Sequence, residues 1–125
     1  MDISQYFKSV LDQDFASVVI CDLDHTIIYM NPKSIERYSK WGGKDLIGKS
    51  LLNCHNEQSI LMINKVINYF KTDKSHNIVH TFYNEKENKD VYMVALRDNN
   101  DVLIGYYEKH EYRNRDMTKP YENIV

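Results

Sequence analysis

Between residues 3 and 13 the chain reads ISQYFKSVLDQ, with Ile3, Tyr6, Phe7, Val10 and Leu11 recurring at steps of one, three and four. That spacing predicts a short amphipathic helix over 3–13. The pattern then changes to β-branched runs. Residues 16–22 (ASVVICD) and 25–31 (HTIIYMN) predict two strands with only Leu23 and Asp24 between them, the spacing of a tight antiparallel hairpin. Asn31-Pro32 predicts a helix start. The asparagine side chain can cap it, and proline tolerates the first turn because the N–H it lacks would have no partner there. This helix is expected to run through KSIERYSKW and to stop at Gly42-Gly43, with a further helical turn over 44–47 ending at Gly48.

A second apolar stripe, Ile60, Ile63, Val66, Ile67 and Phe70, predicts a helix over 56–70. Asn56 is a cap for it, and Glu57 suits the positive end of its dipole. Three strands are expected afterwards, over 78–83, 91–96 and 102–112. ENKD lies in the first connection and DNND forms the second, both good turn chemistry. Residues 14–112 thus form the expected domain, and 113–125 read as a tail or linker.

Length and composition narrow the function classes. A chain of 125 residues suits one domain with one core. A net charge of −2 with mixed signs gives no reason to expect nucleic acid or an anionic membrane as partner. No apolar run approaches the roughly 20 residues that span a bilayer, and MDISQYFKSV lacks the basic start and apolar core of a signal peptide. Cys21 and Cys54 show no CxxC spacing, so two reduced thiols in a cytoplasmic protein are expected. Ten tyrosines are present. Tyr83, Tyr92, Tyr106, Tyr107 and Tyr112 fall in the expected strands, where a ring can pack while its hydroxyl stays wet.

Two strands, several short helices and three more strands make an order that resembles the PAS sensory domain. The residues that carry it are Val19-x-Cys21-Asp22-x-Asp24-x-x-Ile27-x-Tyr29-x-Asn31-Pro32, then 45–52 (DLIGKSLL), then 96–106 (LRDNNDVLIGY). The resemblance implies an α+β fold, with a five-stranded antiparallel sheet in a 2 + 3 arrangement and a cavity between the sheet and its helices. It also implies a bacterial-type signal-input module without catalysis of its own, working by population shift when a small ligand or cofactor binds. The implied partners are a second copy, joined through the N-terminal helix as a homodimer, and an output domain or signalling protein.

Within that frame the candidate ligand-binding residues are Cys54, His55, Ile63, Ile67, His80, Tyr92, Leu103 and Tyr107. Strand alternation groups Tyr107 with Leu103 and Gly105, the face the resemblance assigns to the cavity. His80 shares a face with Ile78 and Phe82. The stretch 53–59 (NCHNEQS) resembles the Asn-Cys-His-Pro-Pro-x-Ser of PAS domains attached to some bacterial hemerythrin-like regulators. It makes His55 a candidate axial ligand for haem iron. The alternative is that His55 occupies the place of the histidine in the His-Pro-Glu-Asp turn of PAS domains that hold no metal, in a ligand-free interaction module.

Two other chemistries leave traces. VVICDLDHT (18–26) matches the Asp-x-Asp-x-Thr of haloacid-dehalogenase-like phosphatases, with Asp22 as nucleophile and Asp24 as acid/base. That enzyme needs a parallel strand and further carboxylates for Mg²⁺, whereas here another strand follows at once. Asp22 and Asp24 are therefore expected to satisfy turn N–H groups. Asn53-Cys54 and Gln58 echo the flavin-binding LOV motif, but the intervening residues are His, Asn and Glu. The 91–96 strand lacks an asparagine, the last strand carries Tyr106 or Tyr107 in place of a glutamine, and the spacing from Gly48 to Cys54 is too long. Flavin is not expected.

Overall fold

The computed structural model describes residues 1–124. Helix α1 (Ser4–Asp12) precedes strands β1 (Val19–Asp22) and β2 (Ile27–Met30). Helix α2 (Pro32–Arg37) gives way to 3-10 turns at Ser39–Trp41, Gly43–Leu46 and Leu51–Cys54. Helix α3 (Glu57–Thr72) leads to β3 (Ile78–Asn84), β4 (Lys89–Arg97) and β5 (Leu103–Tyr112). The strands form one antiparallel sheet in the order β2-β1-β5-β4-β3. This is the arrangement that the resemblance implied.

Both asparagine caps form. Asn31 accepts from the Ser34 N–H at 3.0 Å and Asn56 from the Ser59 N–H at 2.8 Å. Asn31 does more, because it is fully buried and every hydrogen-bonding position of its amide is used. Its Oδ1 also accepts from Val18 N–H at 2.9 Å. Its Nδ2 donates to the carbonyls of Leu11 at 3.0 Å and Ala16 at 2.9 Å. One side chain therefore fastens the end of α1, the entry to β1 and the start of α2.

Three expected elements end differently. The β1–β2 connection is wider than a two-residue turn. Asp22 Oδ1 accepts from the N–H groups of Asp24 and Thr26, His25 takes a left-handed backbone (φ 64°), and Thr26 bridges to Ser50 instead of joining β2. The asparagine-led helix is α-helical only to Arg37 and continues as a 3-10 turn through Trp41. Strand β4 begins at Lys89, so ENKD is divided between the turn and the strand.

The core lies between α3 and the inner face of the sheet. Cys21, Ile27, Met30, Val66, Ile67, Phe70, Met93, Leu103 and Tyr106 pack there. Arg97 closes this layer at one end. It donates to the Phe70 carbonyl at 2.7 Å, the Asn77 side chain at 2.7 Å and the Asp101 carbonyl at 3.0 Å. It thereby joins the last turn of α3 to both flanking strand connections.

Candidate ligand cavity

A cleft of about 1020 Å³ opens between the inner face of the sheet and the segment from α2 to α3. Its floor is the sheet, through Val19, Cys21, Val79, Met93, Tyr106, Glu108 and His110. Its roof is helical, through Tyr38, Trp41, Cys54, His55, Met62, Ile63 and Val66. The volume is at the upper end of what small-molecule and cofactor pockets occupy.

Cys54, His55 and Ile63 line the cleft as the sequence suggested. Ile67 does not; it is buried in the core beneath. His80 reaches the cleft's edge, yet its ring turns to the other face of the sheet. There Nε2 lies 2.9 Å from Asp90 Oδ1, and the ring lies 5.2 Å from that of Tyr92. Tyr92 belongs to the same outer cluster, accepting from Arg113 at 3.0 Å.

The expected cavity face of β5 is a correction. Gly105 pairs with Leu96 while Leu103 pairs with Arg97, which leaves Ile104 as an extra residue in a β-bulge. One inserted residue reverses the alternation beyond it. Leu103 therefore points inward with Tyr106, Glu108 and His110, and it packs in the core rather than lining the cleft. Tyr107 points outward and lines a separate, smaller groove beside Leu11 and Phe15. Leu103 and Gly105 flank the irregularity, and period-two alternation carries no signal for such an insertion.

The residues missed by that reading carry the polar chemistry. The Tyr106 hydroxyl and His25 Nδ1 share a hydrogen bond of 2.7 Å. Burial pushes Tyr106 above the ordinary tyrosine range, and the neighbouring Cys21 pushes the same way. Burial also raises the Cys21 thiol to about 11, so it stays protonated. Glu108 lines the cleft with 47% of its side chain accessible, and its Oε1 lies 3.2 Å from His110 Nε2. Burial pushes its carboxyl up, but the hydrogen bond from His110, then the charges of His110 and His55 when those rings are protonated and of Lys89, outweigh that and hold it below its ordinary value. Glu108 is the carboxylate of the lining; no Lys or Arg lines the cleft among the described residues.

His55 Nδ1 lies 2.9 Å from the Leu51 carbonyl. A carbonyl can only accept, so Nδ1 carries a proton, and in the neutral imidazole Nε2 keeps a free lone pair. That is the state an axial iron ligand requires. The rest of the lining does not fit haem. Its propionates would meet no lining Lys or Arg, and Glu108 adds a third carboxylate to the same space.

No family model matches the sequence, and no curated protein matches it. Solved structures do match the fold. One is the PAS domain of a protein from Colwellia psychrerythraea, with TM-score 0.65, 18% identity, 90% of this chain covered and 98% of that one. A sensory box sensor histidine kinase from Vibrio cholerae matches with TM-score 0.56 and 13% identity, over 86% of this chain and 89% of that one. A dual PAS-haem oxygen-sensor receptor from Vibrio cholerae matches with TM-score 0.53 and 13% identity, over 75% and 90%. The fold is therefore that of PAS sensory and signalling domains. Asp22 sits at the end of an antiparallel strand, and its side chain accepts from the Asp24 and Thr26 N–H groups of the turn.

Proposed function

We propose that this chain is a sensory module that binds a small ligand in the cleft and signals through a change in α1. The cleft itself carries the reading: a tightly packed domain of this size has little reason to hold 1020 Å³ open against its own core. The route from cleft to α1 is short. Ile27 and Met30 of β2 line the cleft, Tyr29 between them donates to the Asp12 carboxylate, and Asn31 holds the Leu11 carbonyl. A ligand that favours one setting of β2 thereby favours one setting of α1.

Helix α1 leaves Ile3, Tyr6, Phe7 and Val10 exposed, which supports a second copy or an output protein as the receiver. The module needs no catalysis for this role. Native mass spectrometry with an absorbance spectrum of the purified protein tests the reading. A retained or added small molecule is expected, and a cleft that neither retains nor accepts one contradicts it. The haem alternative has its own readout: added hemin would give a Soret band that His55→Ala alters. The charge of the lining leads us to expect no such band.

A further inference from the structure

The lining is rich in hydrogen-bond acceptors and poor in cations. Glu108 is ionised, with no Lys or Arg partner inside the cleft. The nearby Lys89 is engaged elsewhere: its Nζ lies 3.3 Å from Glu87 Oε2, without hydrogen-bond geometry, and 5.2 Å above the Tyr112 ring. His110 lines the same cleft with a side chain only 5% exposed, and its Nδ1 is buried without a hydrogen-bond partner. Its Nε2 faces the Glu108 carboxylate, so in the neutral imidazole Nε2 carries the proton and Nδ1 presents a lone pair. His55 Nε2 is a third acceptor, for the reason given above. An unmatched buried acceptor costs free energy unless something donates to it.

The remaining walls suit an apolar body and a positive charge. Val19, Ile27, Met30, Met62, Ile63, Val66 and Met93 supply the apolar surface, with three methionines able to adapt to shape. Tyr38 and Trp41 also line the cleft, with ring centroids 6.2 Å apart, and aromatic rings attract cations over their faces. An anionic ligand would meet Glu108 and no fixed positive charge.

We propose that the cleft takes a small monocationic ligand, a protonated amine or amidinium on an apolar body, with its N–H groups donated to the half-exposed Glu108 carboxylate. This rests on the reading of the cleft as a ligand site and names the class of ligand.

Three probes of nearly equal shape and different charge test it: benzamidinium, benzamide and benzoate. Each is titrated at neutral pH into protein with labelled methionine methyls, and the shifts of Met30, Met62 and Met93 report the cleft. Benzamidinium is expected to bind at least tenfold more tightly than benzamide, and benzoate more weakly than either. Glu108→Gln is expected to bring benzamidinium within a few-fold of benzamide, with the wild-type dispersion of the methionine methyl signals showing that the variant is folded. Glu108→Asp is expected to keep a preference for the cation. Equal binding of the three probes, or a preference for benzoate, overturns the cationic assignment and leaves the ligand site standing. So does an undiminished cation preference in Glu108→Gln. No cleft shift with any probe overturns both.

Discussion

Tyr106, on the floor of the cleft, and His25, at the tip of the β1–β2 turn, share a 2.7 Å hydrogen bond across 81 residues of sequence. The bond ties the cavity wall to the DLDHT turn. Tyr106→Phe removes it while keeping the ring. The expected cost is about 1 kcal/mol, or a fall of roughly 4 °C in melting temperature for a domain of this size. Amide signals of residues 22–26 should broaden or shift. A variant that melts like the wild type with unchanged turn signals would contradict the link.

Asn31 joins four backbone groups from three segments. Asn31→Ala leaves those groups unpaired in a buried place, at a cost of about 3 kcal/mol or more. Equilibrium denaturation measures the loss. Protease cleavage before residue 18 should accelerate, because α1 loses its bond through Leu11. Cleavage at the wild-type rate would show that α1 is held by other contacts.

Gly105 pairs with Asp22 of the neighbouring strand β1, and a Cβ there would collide with the Cys21 carbonyl oxygen. Backbone cannot yield as the end of a side chain can, so β1 and β5 would have to part. Gly105→Ala is expected to cost on the order of 3 kcal/mol, at the upper end for overpacking. Hydrogen exchange should quicken at Cys21, the β1 residue whose backbone faces β5, and at its partner Tyr106. Unchanged exchange there would contradict the close approach.

The pair Arg37–Glu87 links α2 to the β3–β4 turn through two 3.1 Å bonds. The Arg37 guanidinium holds the Glu87 carboxyl at about 2, against an ordinary value near 4.5. Folding lowers this pKa, so its stabilisation is complete above pH 4.5 and is lost as pH falls through about 2. Both side chains are about one-third exposed, and solvent screening limits the effect to about 1 kcal/mol or less. Glu87→Gln should therefore be less stable than wild type at pH 6 and nearly equal to it near pH 2. A stability gap that stays constant over that range would contradict the assignment.

The order of elements was legible in the sequence because their signals are local. The stripe Ile63, Val66, Ile67, Phe70 and the caps Asn31 and Asn56 depend only on near neighbours. Ile63 of the cleft followed from the same stripe, while Cys54 and His55 followed from the resemblance of the 53–59 stretch. The β5 wall did not, since one bulge at Ile104 exchanges Tyr107 for Tyr106 and brings in Glu108 and His110. That insertion is set by pairing with Leu96 and Arg97 across the sheet, which alternation along one strand does not contain. His80 misled for a similar reason: a second irregularity between His80 and Phe82 parts residues that a regular strand would align.

Coupling between the cleft and α1 is the centre of the account, and hydrogen–deuterium exchange measures it most directly. The protein would be compared with its cleft filled, by whichever small molecule native mass spectrometry finds retained or accepted, and after that molecule is removed. Slower exchange is expected at residues 59–66 and 106–110 when the cleft is filled, together with a change at residues 4–12 outside it. Slower exchange confined to the cleft, with α1 unchanged, would contradict it.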